Sequence, residues 1–230
     1  MKIAAFAALL LLAAPAGAAT RTYSVTSFDR IRVDGPYQVM LKTNVAPFAR
    51  ASGSQQALDA VSIRVEGRTL IVRADEGGSW GGYPGQQRGP VTIELGTPDL
   101  AHALVNGAGA LSIDKVKALK FDFSVQGSGM MAISQADVDQ MRAWLDGSAS
   151  ARLGGHAGNV NASIRGASTF DAESLAMKDA TIAAEGPTVV RANVTNSVKI
   201  DARGLTSVAI TGGAACTVKT QGTATVTGCR

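Results

Sequence analysis

A glycine recurs at almost constant spacing through the second half of the chain: Gly107, Gly127, Gly147, Gly166, Gly186, Gly204 and Gly222, at intervals of 20, 20, 19, 20, 18 and 18 residues. A period of this size marks a stacked repeat, in which one unit cannot bury its apolar face alone and its neighbours complete the core. With the glycines as the only anchor, the other columns test the register. Two residues before each glycine stand Val105, Val125, Leu145, Ile164, Ala184, Ala202 and Thr220. Columns four and six residues before it, and four and six after it, behave the same way. Over these five columns 33 of 35 positions are apolar, whereas the four interleaved columns hold only 5 apolar residues in 28. Alternation with a period of two belongs to strands with one buried face, and a helix cannot produce it. Each unit therefore reads as two short strands about a glycine corner, with a third side of variable length.

Stacking such units gives an all-β fold, a right-handed parallel β-solenoid of about seven regular coils of 18–20 residues. At one strand spacing per coil it rises roughly 34 Å. The 26 glycines and the low aromatic content of 5% suit short strands and tight corners. They exclude a helical bundle, and the 46% of apolar residues excludes a disordered chain. Residues 100–230 hold the regular coils. Residues 19–99 follow the same grammar less regularly and read as an N-terminal β cap within one solenoid domain spanning 19–230. There Ile31, Val33, Gly35, Val39 and Leu41 fall at solenoid offsets, as do Val61, Ile63, Val65 and Gly67, followed by a shifted Leu70 and Val72. Gly77 to Pro90 reads as an inserted surface loop.

Residues 1–18 have the form of a secretory signal peptide: Lys2, an unbroken apolar run from Ile3 to Ala14, and a small-residue cleavage site at Ala16-Gly17-Ala18. No later stretch is long and apolar enough for a transmembrane segment. The formal net charge of +4, with signs interspersed, argues against nucleic acid as a partner. The expected location is outside the cytoplasm, periplasmic first, with an extracellular or cell-surface location as the alternative.

The run Phe28-Asp29-Arg30-Ile31-Arg32-Val33-Asp34-Gly35, with the serial motifs Val105-Asn106-Gly107-Ala108-Gly109 and Val125-Gln126-Gly127-Ser128-Gly129, resembles the bacterial family known as putative auto-transporter adhesin, head GIN domain (DUF2807). The resemblance spans roughly residues 28–228. It implies an exported β-solenoid with no established biochemical activity, and adhesion only by analogy with autotransporter passenger domains. No membrane-barrel pattern follows the repeats, so self-translocation is not expected.

No catalytic set, metal site or cofactor emerges. The Gly-x-Gly pairs at 107/109 and 127/129 lack the following helix that a phosphate loop needs. His102 and His156 sit three coils apart, and two His with two Cys are too few for a multi-ligand metal site. Charged residues form two alternating columns: Asp146, Arg165, Glu185 and Arg203 before the corner, and Arg152, Asp171 and Arg191 after it. These are expected to pair as ladders on a solvated face, or to make Arg152, Arg165, Arg191 and Arg203 a contact surface for an envelope glycan. Trp80 and Tyr83 either stack on sugar rings or a partner, or fold back over the solenoid end. Trp144 is expected to lie outward across neighbouring coils. Cys216 and Cys229 are the only cysteines, and in an exported chain an even count favours a disulfide closing the last coil, although one falls in an inward column and the other in an outward one. The leading functional reading is a non-catalytic, adhesin-like or envelope-binding domain, taking an envelope glycan or another envelope protein as partner. The alternatives are a polysaccharide-active β-helix enzyme and a structural scaffold for a protein partner.

Overall fold

A computed structural model of the chain describes residues 19–75 and 89–229. In chain order the N-terminal part contains β1 (Ala19–Tyr23), β2 (Arg30–Asp34), β3 (Gln38–Thr43), β4 (Phe48–Gly53), a short helix α1 (Gln55–Asp59), β5 (Val61–Glu66), β6 (Thr69–Ala74) and β7 (Thr92–Thr97). The regular part follows as β8 (His102–Gly107), β9 (Ala110–Gly127), β10 (Met130–Gly147), β11 (Ser150–Arg165), β12 (Thr169–Glu185), β13 (Val189–Gly204), β14 (Ser207–Thr211), β15 (Ala215–Gly222) and β16 (Thr225–Thr227). Each of β9 to β13 traces nearly a whole coil, and successive coils pair parallel, in unbroken register between β9 and β10 and with register shifts in the pairs from β10–β11 to β12–β13. The result is a parallel β-solenoid of about six turns, close to the seven expected coils.

Burial shows how each coil closes. Along β10 buried and exposed residues alternate, except at Ser134–Gln135 and Asp139–Gln140, where two exposed residues follow one another. Each break in the alternation turns the strand, because the next side chain must point inward again on a new heading. With the glycine corner these bends give three sides: a post-corner side (130–133), a short side (135–138) and a pre-corner side (140–147). The five inward columns are buried at every position in the six coils through Gly204, apart from a half-buried Ala101. The core they form is continuous from Phe28 to Ala214.

At the corners the backbone adopts positive φ, from +77° at Gly166 to +101° at Gly107. The corners also stack closely: a Cβ on Gly147 would lie 2.7 Å from the Gly127 carbonyl oxygen. Two residues beyond each corner a buried column changes from Gly109, Gly129 and Ala149 to Ser168, Thr188 and Thr206. These hydroxyls satisfy corner carbonyls that the ladder leaves open. Ser168 Oγ donates to the Arg165 carbonyl at 2.9 Å, Thr206 Oγ1 does so to the Arg203 carbonyl at 2.8 Å, and the Thr188 and Thr206 hydroxyls lie 3.1 Å apart.

The N-terminal part departs from the expected sequential winding. The coil made by β2, Gly35 and β3 lies between two others: β2 pairs parallel with both β6 and β8, and β3 with both β7 and β9. The chain thus builds one coil, lays a second beneath it, and returns above it to start the regular stack. Gly67 is not a solenoid corner. It is the first residue of a two-residue turn joining antiparallel β5 and β6, with φ of +62° as such a hairpin requires. Leu70 and Val72, opposite Ile31 and Val33, hold the inward positions. The lower end is closed by antiparallel β1 and β4 on the post-corner side, by β5 on the pre-corner side and by α1. Ser54 caps α1 by accepting from the Ala57 amide at 3.2 Å, and the helix buries Ala57 and Leu58. Reversing the strand direction and adding a helix breaks the parallel template on which another strand could stack.

Candidate functional site

Because strand residues alternate, the pre-corner side sends three columns outward. The column nearest the short side reads His102, Asp122, Arg142, Asn161 on successive coils, and the middle column reads Leu104, Ser124, Trp144, Ser163. Trp144 therefore has a serine directly above and below it. Neither neighbour can cover an indole, and the ring keeps 40% of its surface exposed. The two columns line a groove of about 650 Å³ running from Arg30 and Arg32 on β2 to Ser163 on β11. Arg165 stands outside this lining with its guanidinium carbon 5.0 Å from the Trp144 ring centroid. A cation–π contact at an exposed site is worth about 0.5–1 kcal/mol, enough to favour one indole orientation.

Charge in the groove is uneven. Asp122 Oδ2 lies 3.7 Å from His102 Nδ1 and 3.8 Å from Lys120 Nζ, and Arg32 Nε donates to Asp34 at 2.7 Å. Arg142 is exposed and makes no ion pair among the described residues. Two further recesses open on the same side. One of about 150 Å³ is lined by Arg165, Glu185, Asp201 and Arg203. The other, of about 480 Å³, follows the bend past Arg142, Asn161, Asp179 and Lys199. Within it the Asp179 carboxylate accepts from Ser197 Oγ at 2.5 Å and Asn196 Nδ2 at 2.7 Å, and these bonds hold its pKa below the ordinary 3.8. Asp201 is likewise lowered, chiefly by the hydrogen bond from Arg203.

The structure separates the four arginines singled out by sequence. Arg165 and Arg203 lie before the corner and flank one recess, while Arg152 and Arg191 lie after the corner on a different side. The expected continuous charge ladders are corrected. Arg152 meets Asp171 at 3.5 Å, but Arg203 forks onto Asp201 of its own strand at 3.0 and 2.9 Å rather than reaching Glu185, and Arg165 turns to Trp144. The guanidinium fork matches a carboxylate two residues away on the same face, so it need not cross to the next coil. Cys216 and Cys229 are joined as a disulfide, with Cα atoms 5.6 Å apart. Trp80 and Tyr83 lie outside the described residues; β6 ends and β7 begins on the two sides that Gly35 joins in the adjacent coil. Among the described residues no three His, Cys, Asp or Glu gather as metal ligands, and no helix is long and apolar enough to cross a membrane. Arg142 was not singled out by sequence. Its signal was available once the glycine register was set, since Arg142, Trp144 and the two flanking serines fall in adjacent outward columns.

The family model for putative auto-transporter adhesin, head GIN domain, matches residues 27–214. The chain belongs to this family. The disulfide lies beyond the matched residues of the head GIN domain. Among solved structures, the chain resembles a putative adhesin from Bacteroides fragilis at 17% identity and a TM-score of 0.80, over 91% of this chain and 95% of that one. A putative adhesin from Parabacteroides distasonis aligns at 19% identity and a TM-score of 0.71, covering 92% and 97%. A protein from the same species named a putative lipid binding protein aligns at 15% identity and a TM-score of 0.69, covering 92% and 96%. At these identities the likeness establishes a shared solenoid fold. No match was found among curated proteins.

Proposed function

We propose that this head GIN domain is an exported, non-catalytic binding module that holds a component of the bacterial envelope on the pre-corner side of its solenoid. The observation that carries this reading is the clustering of recesses on that side, around an exposed tryptophan and arginines. A sheet face built from stacked coils is rigid, so its side chains meet a ligand with little ordering cost. Asp179 and Asp201 are both pushed toward their ionised forms by hydrogen bonds, so neither is poised as a general acid.

Co-sedimentation of the purified protein with peptidoglycan sacculi and with outer-membrane vesicles tests the proposal. Vesicles are included because one structural neighbour is named a lipid binding protein. Saturable pelleting with either fraction is expected. Absence of pelleting with both, from protein that is folded by circular dichroism, would overturn the reading. Release of new reducing ends or unsaturated sugar from the pelleted material would replace it with an enzyme.

A further inference from the structure

Resting on the binding-module reading, we infer that the groove centred on Trp144 and Arg142 is a subsite for an acidic glycan, the indole carrying a sugar ring and the Arg142 guanidinium its carboxylate. Backbone groups on this side are consumed by the ladders to the coils above and below, so the face recognises its ligand through side chains. A peptide could not add to it as a strand, because strand addition needs an open edge. The lining is mostly apolar, with Leu104 beside the Trp144 indole, and its short hydrogen-bonding groups are Ser124, Ser163 and the Asn161 amide. That mixture suits a pyranose, which has an apolar C–H face and a rim of hydroxyls. An acyl chain would match the apolar lining but would leave Arg142 and these polar groups without hydrogen-bond partners.

Charge selects an acidic sugar over a neutral one. Three arginines line the groove, Arg30, Arg32 and Arg142, against one carboxylate, Asp122. Asp34 occupies Arg32, Asp29 lies 3.9 Å from Arg30, and Asp122 is engaged by His102 and Lys120, so Arg142 is the groove arginine left to meet a ligand. Arg142 and Trp144 are two residues apart on one strand and on the same face. That places guanidinium and indole within one sugar residue of each other, about 7 Å apart at the backbone. Arg165 braces the ring from outside the groove as a positioning residue.

Affinity electrophoresis of the full chain through polygalacturonate, with neutral dextran as the comparison gel, tests this. Retardation in polygalacturonate and none in dextran is expected. Trp144→Ala and Arg142→Gln should each weaken binding at least tenfold, and Arg152→Gln, on another side of the coil, should leave it unchanged. Arg142 is exposed and makes no ion pair among the described residues, so its variant folds even if removing the indole disturbs the coil. Failure of polygalacturonate to retard the protein, equal retardation by dextran, or unchanged binding by Arg142→Gln would each overturn the assignment. Pelleting the same variants with sacculi and vesicles separates the two proposals. Envelope binding that survives both groove variants would sink the acidic-glycan subsite and leave the binding module standing. Groove-dependent retardation without any pelleting would keep the acidic-glycan subsite and overturn the envelope as the source of its ligand.

Discussion

At the scale of single residues, the corner glycines shape each coil through positive φ and close stacking. A side chain at Gly147 meets two costs together, a left-handed backbone at φ of +96° and a carbonyl oxygen 2.7 Å from its Cβ. Gly147→Ala should therefore destabilise by on the order of 2–3 kcal/mol, read as a fall in Tm of about 5–10 °C. Gly67 also has positive φ, but nothing lies within 4 Å of a Cβ built there. Gly67→Ala should cost only the backbone part, about 1–2 kcal/mol. Equal losses at the two sites would show that close stacking of the corners contributes nothing. This contrast also marks how far sequence could see. The spacing of Gly107 through Gly222 discloses the coil because each is a corner, yet Gly67, at a plausible spacing, is a hairpin glycine of the cap. Both roles need positive φ, and a lone glycine does not say which one applies. The ladder expectation held at one rung, Arg152 with Asp171, and not at Arg203, for a similar reason: column order sets which charges are neighbours, but the reach of an arginine decides which neighbour it takes, as Arg203 does with Asp201.

At the scale of elements, the two ends of the solenoid differ. The first is closed by reversed strands and α1, while β15 and β16 each pair with a strand on one side only among the described residues, leaving Val218 40% exposed in an inward column. The disulfide from Cys216 to Cys229, spanning 13 residues, ties these last strands together. Loop closure over that span corresponds to about 3 kcal/mol in the chain-entropy account. Reduction, or Cys229→Ser, should raise amide hydrogen exchange across β15 and β16 and leave β9 to β13 protected. Uniform loss of protection along the stack would contradict a local staple. Asp179 joins two coils at the bend through Ser197 and Asn196. Because folding holds its pKa below the ordinary 3.8, its stabilising contribution is complete above that pH and is lost as pH falls through the lower folded value. Wild type should thus lose more Tm than Asp179→Asn on acidification from about pH 5 to about pH 2. Parallel loss in both would remove Asp179 as a contributor. The interleaving of β2–β3 between the coils of β6–β7 and β8–β9 was hidden from sequence. Period-two alternation in Ile31, Val33, Leu70 and Val72 reports a buried face, but not which strand lies beside it.

For the whole molecule, stacking identical coils lines up equivalent side chains, so a ligand face emerges as columns rather than as a motif. The columns were readable from the glycine register. That recesses open on the pre-corner side depends on side-chain size, on Trp144 standing between Ser124 and Ser163, and on the three-dimensional bends at Ser134 and Asp139. The family and its solved relatives establish the solenoid. The choice of side is the claim that most needs testing, and one comparison does so: quantitative pelleting with envelope fractions by wild type, by Arg165→Glu/Arg203→Glu on the pre-corner side, and by Arg152→Glu/Arg191→Glu on the post-corner side. Each pair makes the same change in net charge, so differences between them report position. Binding lost in the first pair and kept in the second is the predicted result, whereas equal loss in both, or loss only in the second, would contradict a binding face before the glycine corner.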